Sequence, residues 1–198
     1  MATFTQIPST TFKQLQLNAG VITSNFTPGT ATLDQSSILG ATTGGISFTA
    51  TPTYTDFGED IDNCPKNMKE LKRLESWEVT LSGTFVTVSA DLAKTLVGAG
   101  SKDASDATKI VPRNDLTAAD FADVWFIGDY SDVNSGESAG FLAIHVMNAL
   151  STGGFQLTTS DKAKGQFAFE FTGHYSMEKQ NTPPFEVYVK AGTADANE

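Results

Sequence analysis

A single thiol, Cys64, and only two histidines, His145 and His174, occur in the 198 residues of this chain. One cysteine excludes an intrachain disulfide framework. Neither histidine has a partner at metal-ligand spacing, and Cys64 has no neighbouring Cys or His, so no metal or other cofactor is expected. Bases are also scarce, 13 against 23 acids, for a net charge of −10. A chain of that balance does not clamp nucleic acid through its phosphates, which requires a basic patch. It can still line a surface past which nucleic acid moves without sticking. No apolar run approaches the ~18 residues of a bilayer span. The opening MATFTQIPST has neither the basic flank nor the apolar core of a signal peptide, so synthesis in the cytoplasm is expected. Charged residues make up 18% of the chain, below the ~25% usual in soluble domains. Thr, Ser, Gly and Asn, the residues of strands and turns, fill the deficit.

What is present is alternation. Ile46, Phe48, Ala50, Pro52 and Tyr54 interleave with Ser47, Thr49, Thr51, Thr53 and Thr55. Trp77, Val79, Leu81, Gly83 and Phe85 interleave with Glu78, Thr80, Ser82 and Thr84. Phe167, Phe169, Phe171, Gly173 and Tyr175 interleave with Gln166, Ala168, Glu170, Thr172 and His174. A period of two predicts strands with one face in a core. The other face is mostly Thr and Ser, where solvated strands often carry Lys or Glu against unwanted edge pairing. Such a face suits a wide sheet that pairs laterally, and points to assembly before catalysis.

Residues 1–44 read as an N-terminal arm with one or two short strands. The body, 45–192, opens with strands at 45–56 and 74–88, joined by a long loop at 57–73. Ser89 as N-cap, Asp91 in the first turn, the stripe Leu92, Leu96 and Val97, and the stop at Gly98 predict one helix. Residues 98–114 read as a polar loop, and Thr117 to Asp120 as a capped turn. Residues 124–130 and 141–150 are apolar on both faces, as in strands between layers; a helix at 141–150 is the alternative. Strands at 155–159, 166–175 and 185–190 complete the body, and 193–198 read as a loose tail. The expected fold is mainly β, an antiparallel β-sandwich or barrel with one flanking α-helix.

The loop at 57–73 is electrically two-ended. Asp56, Glu59, Asp60 and Asp62 precede Lys66, Lys69, Lys72 and Arg73. One reading is a solvated loop. The other is a head-to-tail contact, where one sign on one copy meets the opposite sign on the next and an open polymer grows. A calcium loop starting at Asp60 fails, because Pro65 and Leu71 stand where Gly and a carboxylate belong. Asp56-Phe57-Gly58 lacks the other kinase motifs, and Gly98 to Lys102 misses the phosphate-loop spacing.

Gly136-Glu137-Ser138-Ala139-Gly140 fits the nucleophile-elbow pattern, and Asp161 and His174 follow in hydrolase order. The elbow needs a strand before it and a helix after it, and here a turn precedes and a strand-like run follows. Trp77, Trp125, Tyr54 and Tyr130 offer a sugar-stacking surface, which makes a soluble carbohydrate-binding module the alternative function. Trp77, however, shares the parity of Val79, Leu81 and Phe85 and is expected in the core.

Four segments taken together resemble the tail tube protein (major tail protein) of tailed bacteriophages. They are LQLNAGVITSNFTP (15–28), GISFTATPTYTDFGEDIDNCP (45–65), WEVTLSGTFVTV (77–88) with its helix, and FTGHYSMEKQNTPPFEVYVKAG (171–192). The resemblance runs in order over about 11–192. It implies a β-sandwich or barrel with one flanking helix and no catalytic residues. It implies six copies per ring, neighbouring inner sheets joined around a lumen, and rings stacked into a tube through which DNA is ejected. By position, 57–73 would be the inter-ring contact loop, with Asp56, Glu59, Asp60, Asp62, Lys66, Lys69, Lys72 and Arg73 as its polar residues, and 1–44 the arm that reaches neighbours. The implied partners are further copies of the chain and other tail proteins (tape measure, tail terminator, distal tail protein), with no membrane. The implied location is the virion tail, assembled in the host cytoplasm. The family's lumens are usually acidic. Six copies at −10 each carry a formal charge of about −60, which repels phosphates. Glu78, Glu170 and Glu186 lie on the polar parity of their strands. Glu78, Thr80, Glu170 and Thr172 are the expected lumen-facing residues.

Overall fold

A computed structural model describes residues 7–8, 10–130 and 140–192. The chain order is β1 (Gln16–Thr23), β2 (Ile38–Gly40), β3 (Thr42–Asp56), β4 (Lys72–Phe85), α1 (Ala90–Val97), β5 (Gly100–Lys102), β6 (Ile110–Pro112), β7 (Ala122–Tyr130), β8 (Phe141–Ser151), β9 (Gln156–Thr158), β10 (Gln166–Gly173) and β11 (Phe185–Lys190). Every pairing is antiparallel. Two layers result. The first runs β2-β1-β7-β8-β11 and the second runs β3-β4-β10-β9; the end of β8 bends across to pair with β10 at Phe171 and Thr172. The fold is thus mainly β with one α-helix among the described residues, as the sequence pattern predicts, and 141–150 is a strand.

The apolar parities meet between the layers. Val79, Leu81 and Phe85 of β4 and Phe167, Phe169 and Phe171 of β10 face Val124, Phe126, Ile144 and Val146 of β7 and β8. The helix closes one end with Leu92 and Leu96, both buried. Its start is fixed by Ser89, whose hydroxyl accepts the Leu92 amide, a cap worth about 1 kcal/mol. Gly98 ends it at φ 76°, a positive φ that glycine adopts without strain.

Residues 16–40, read from sequence as part of an arm, are built into the body. β1 pairs along β7, and Ile22 is fully buried. The chain then crosses the outer face of the first layer, where Phe26 packs edge-on against Trp125 and Phe141. The isolated apolar residues of this stretch mark two different burial sites, a pattern no single period reveals.

The 98–114 stretch is a correction. It forms the β5–β6 hairpin, closed by Asp103 and Asp106, whose carboxylates accept the Ser105 and Thr108 amides. Each strand has three residues, too few for a period to show. Behind it, Arg113 makes two hydrogen bonds to Asp120, at 2.6 and 2.7 Å, and Asp120 belongs to the expected capping box with Thr117. The proposed elbow residues Gly136 to Ala139 and the tail 193–198 lie outside the described residues.

Candidate assembly surfaces

The outer face of the second layer is built by register. Ser47 lies beside Ser82, and Ser82 beside Glu170. Thr49 lies beside Thr80, and Thr80 beside Thr172. Thr51 lies beside Glu78. The four residues expected to face a lumen therefore share one surface, and both carboxylates are exposed on it. Thr152 extends the row. Its hydroxyl is 2.7 Å from that of Thr172 and donates to Glu170 at 3.0 Å. No Lys or Arg occurs in residues 42–53, 76–84 or 166–173, so this part of the face carries negative charge only, and Arg73, opposite Thr55 beyond Ser76, is the first base along β4. Glu186, read on the same polar parity, belongs instead to the outer face of the first layer, where Tyr188 donates to it. That bond raises the Tyr188 pKa, because it favours the protonated phenol.

The β3–β4 hairpin outruns the core. From Lys72 to Ser76 every residue of β4 is exposed. A register shift between Thr53 and Tyr54 leaves Glu75 as the extra residue of a bulge, and beyond it the apolar parity no longer faces the opposite layer. Tyr54, whose alternation places it on the core face, is 53% exposed for this reason. Phe57, Ile61, Met68 and Leu74 are exposed around it, so the hairpin end is apolar as well as charged. A charge-led reading of the loop misses this. The signal was the apolar residues spaced through the run of charges.

Within the loop, Glu59, Asp60, Asp62, Lys66, Lys69 and Arg73 are exposed. Lys69 approaches Glu70 at 3.5 Å, and Glu70 dilutes the basic half. Two of the expected contact residues are used inside the loop. Asp56 accepts the Gly58 amide at 2.9 Å and the Asn67 amide at 2.8 Å, clamping the two limbs together. Those backbone hydrogen bonds, Gly58 first, hold its carboxyl below the ordinary aspartate value. Lys72 donates to Asn67 Oδ1 at 3.1 Å, and its ammonium lies 5.5 Å from the Tyr54 ring centre. Cys64 is half-buried against Met68 and Pro65.

The other candidates separate. Asp161 precedes β10 and His174 follows it, so the two stand about 25 Å apart by the rise of an eight-residue strand. His174 Nδ1 is 3.2 Å from the Asn148 carbonyl oxygen. His145 stacks flat on Trp125, with ring centres 3.9 Å apart, and Asp123 approaches its Nε2 to 3.0 Å. Trp125 is buried on the outer face of the first layer, whereas Trp77 packs edge-on against Phe185 between the layers. The aromatic residues proposed for sugar stacking thus do not share a surface. Among the described residues, no group of three or more His, Cys, Asp or Glu is placed to hold a metal ion. Among the described residues, no helix is long and apolar enough to cross a membrane.

Both layers have open margins. β3 pairs with β4 alone, and β9 with β10 alone, among the described residues. β11 likewise pairs only with β8, and its Val187 and Val189 are 50% and 59% exposed.

No protein-family model matches the chain, and no curated protein matches it. Among solved structures, the fold is similar to a chain described as "Virion of native gene transfer agent (GTA) particle", with a TM-score of 0.43 and 9% identity, over 87% of this chain and 96% of that chain.

Proposed function

We propose that this chain is a tail tube subunit of a tailed bacteriophage. It is a structural virion protein, not an enzyme, and its copies join edge to edge into six-membered rings that stack into a hollow tube for DNA ejection. The second layer lines the lumen. The observation that carries this reading is the outer face of that layer between the glycine pair and Ser76: Thr and Ser rows, two carboxylates, no base, and, among the described residues, a free strand at each margin. Uncharged hydroxyls with scattered acids give DNA no deep binding well along its path. Open, uncharged margins are a liability in a monomer and a requirement in a subunit. The hairpin end, apolar and charged, reaches the next ring, and the other tail proteins meet the ends of the stack. Negative-stain microscopy of concentrated pure protein is the test. Rings or tubes with a central hole are expected; a monodisperse protein of one-subunit mass at every concentration overturns the reading.

A further inference from the structure

The free edge of β3 is not uniform along its 15 residues. Gly44 and Gly45, both at positive φ, interrupt its register with β4 at one end, between Thr43 and Ile46. At the other end Pro52 stays in register opposite Trp77 but has no amide hydrogen to offer the open edge. Which backbone groups face outward follows from two hydrogen bonds. Trp77, directly opposite Pro52, donates its amide to the Tyr175 hydroxyl at 2.8 Å, on the side of β4 away from β3. Pro52 and Trp77 are therefore a pair without backbone bonds between them. In an antiparallel ladder such pairs alternate with bonded ones. Ile46, Phe48 and Ala50, on the parity of Pro52, then turn their N–H and C=O groups to the open edge, while Ser47, Thr49 and Thr51 bond to β4.

The same alternation reaches the far margin. Glu170 accepts the Thr152 amide at 2.9 Å, so its backbone points away from β4 and the groups of Ala168 and Gln166 point to β9. On β9 this commits Gln156 and Thr158 to β10 and leaves Leu157, flanked by Phe155, facing outward. Phe155 and Leu157 are 44% and 53% exposed. Leu157 lies opposite Phe167, on the core parity, as Phe48 does on β3. The two margins are thus matched in three ways. β3 and β9 run in opposite directions across the layer, so β9 of one copy meets β3 of another in antiparallel sense. Outward backbone groups on both sides belong to core-parity residues, so joining them keeps the hydroxyl face continuous. The bare stretch of β3, bounded by the glycine pair and the proline, is of a length with β9 and its flanking residues.

We infer that the lateral seam is formed by β9 of one copy on the Ile46 to Ala50 stretch of β3 of a second copy, with Leu157 opposite Phe48 and Pro52 ending the pairing. This rests on the edge-to-edge assembly above and specifies its partner strand and register. In this register Gln156 faces Thr49 across the seam as a pair without backbone bonds, the closer kind of pair, with both side chains on the outer face. The spacing suits a disulfide.

The experiment combines Thr49→Cys and Gln156→Cys in a Cys64→Ser background, oxidised after assembly. A ladder of cross-linked multimers is expected, ending at the closed ring. Thr51→Cys with Gln156→Cys, two residues out of register, should give none. Ala50→Pro supplies an independent reading. It removes a donor that β4 does not use, so the melting temperature should hold within a few degrees. The assembled fraction should fall about tenfold or more, through a lost bond and a ring placed in the seam. Normal rings without the Thr49 to Gln156 cross-link overturn this seam and leave the tube reading standing. A wild-type chain that never assembles overturns both. Should Ala50→Pro fail to fold, the cross-link alone decides.

Discussion

The Trp77 amide donates to the hydroxyl of Tyr175 at 2.8 Å, just past the point where β10 ends at Gly173. A side chain takes over from the backbone there, so β4 continues toward the hairpin with its donor satisfied. Tyr175→Phe removes only that acceptor. The expected loss is about 1 kcal/mol of stability, the usual worth of one hydrogen bond with water able to substitute. Urea unfolding measures it, and hydrogen exchange should quicken at the Trp77 amide before the β4–β10 core.

The apolar hairpin end and its charges make separate predictions. Phe57→Ser with Ile61→Ser removes two residues that are each more than half exposed, so monomer stability should change by no more than about 0.5 kcal/mol per site. Stacking into tubes should be lost, with single rings remaining in electron micrographs. Lys69→Glu with Arg73→Glu should weaken stacking most at low salt, because exposed charges are screened as salt rises. Lys72 is a poor choice for that test, since it also holds Asn67 and covers Tyr54. Normal tubes from both double variants would remove the hairpin from the contact between rings.

The strands that cross the whole molecule were legible because their period of two persists for eight residues or more, in β3, β4 and β10. The helix was legible from Ser89, Leu92, Leu96 and Gly98, each of which does what its chemistry suggests. The residues expected to face a lumen, Glu78, Thr80, Glu170 and Thr172, fall on one surface because parity and register propagate together across paired strands. Other features depend on partners distant in sequence and left no periodic trace. Asp56 reads as one more acid in a charged run, yet Asn67, eleven residues on, turns it into a clamp. The bulge at Glu75 exposes Tyr54, and no local pattern announces it. Residues of β1 look too polar for a core, and only Ile22 and Thr23 carry the burial.

Acid should loosen the β5–β6 corner first. The Asp120 side chain is nearly covered, and the Thr117 amide followed by Arg113 holds its carboxyl below the ordinary value. Asp103 is lowered to about 2 by Ser105 and Lys109. Both folded values lie below the unfolded one near ~3.9. Their stabilising effect is therefore fully present above that value and is lost as pH falls through the folded ones. Thermal melts between pH 5 and pH 2 should drop more steeply below about pH 4 in wild type than in Asp120→Asn. At neutral pH Asp120→Asn should itself cost about 1–3 kcal/mol, because the partly buried Arg113 keeps only the exposed Asp115, at 3.6 Å, as a counter-charge. Equal acid sensitivity of the two proteins would remove Asp120 from this role.

Charge on the hydroxyl face tests where that face points. Glu78→Lys with Glu170→Lys takes each copy from −10 to −6 and puts bases where the face has none. Both side chains are exposed and only the Thr152 contact is lost, so folding and ring formation should be unaffected. If the face lines the lumen, variant tubes assembled with short duplex DNA should retain it at low salt and release it as salt rises, because each neutralised phosphate releases counterions. Nuclease should not reach the retained DNA, which separates a lumen from an outer wall. Wild-type tubes, repelling phosphates, should retain none. DNA that is retained but fully nuclease-sensitive would place Glu78 and Glu170 on the outside of the tube.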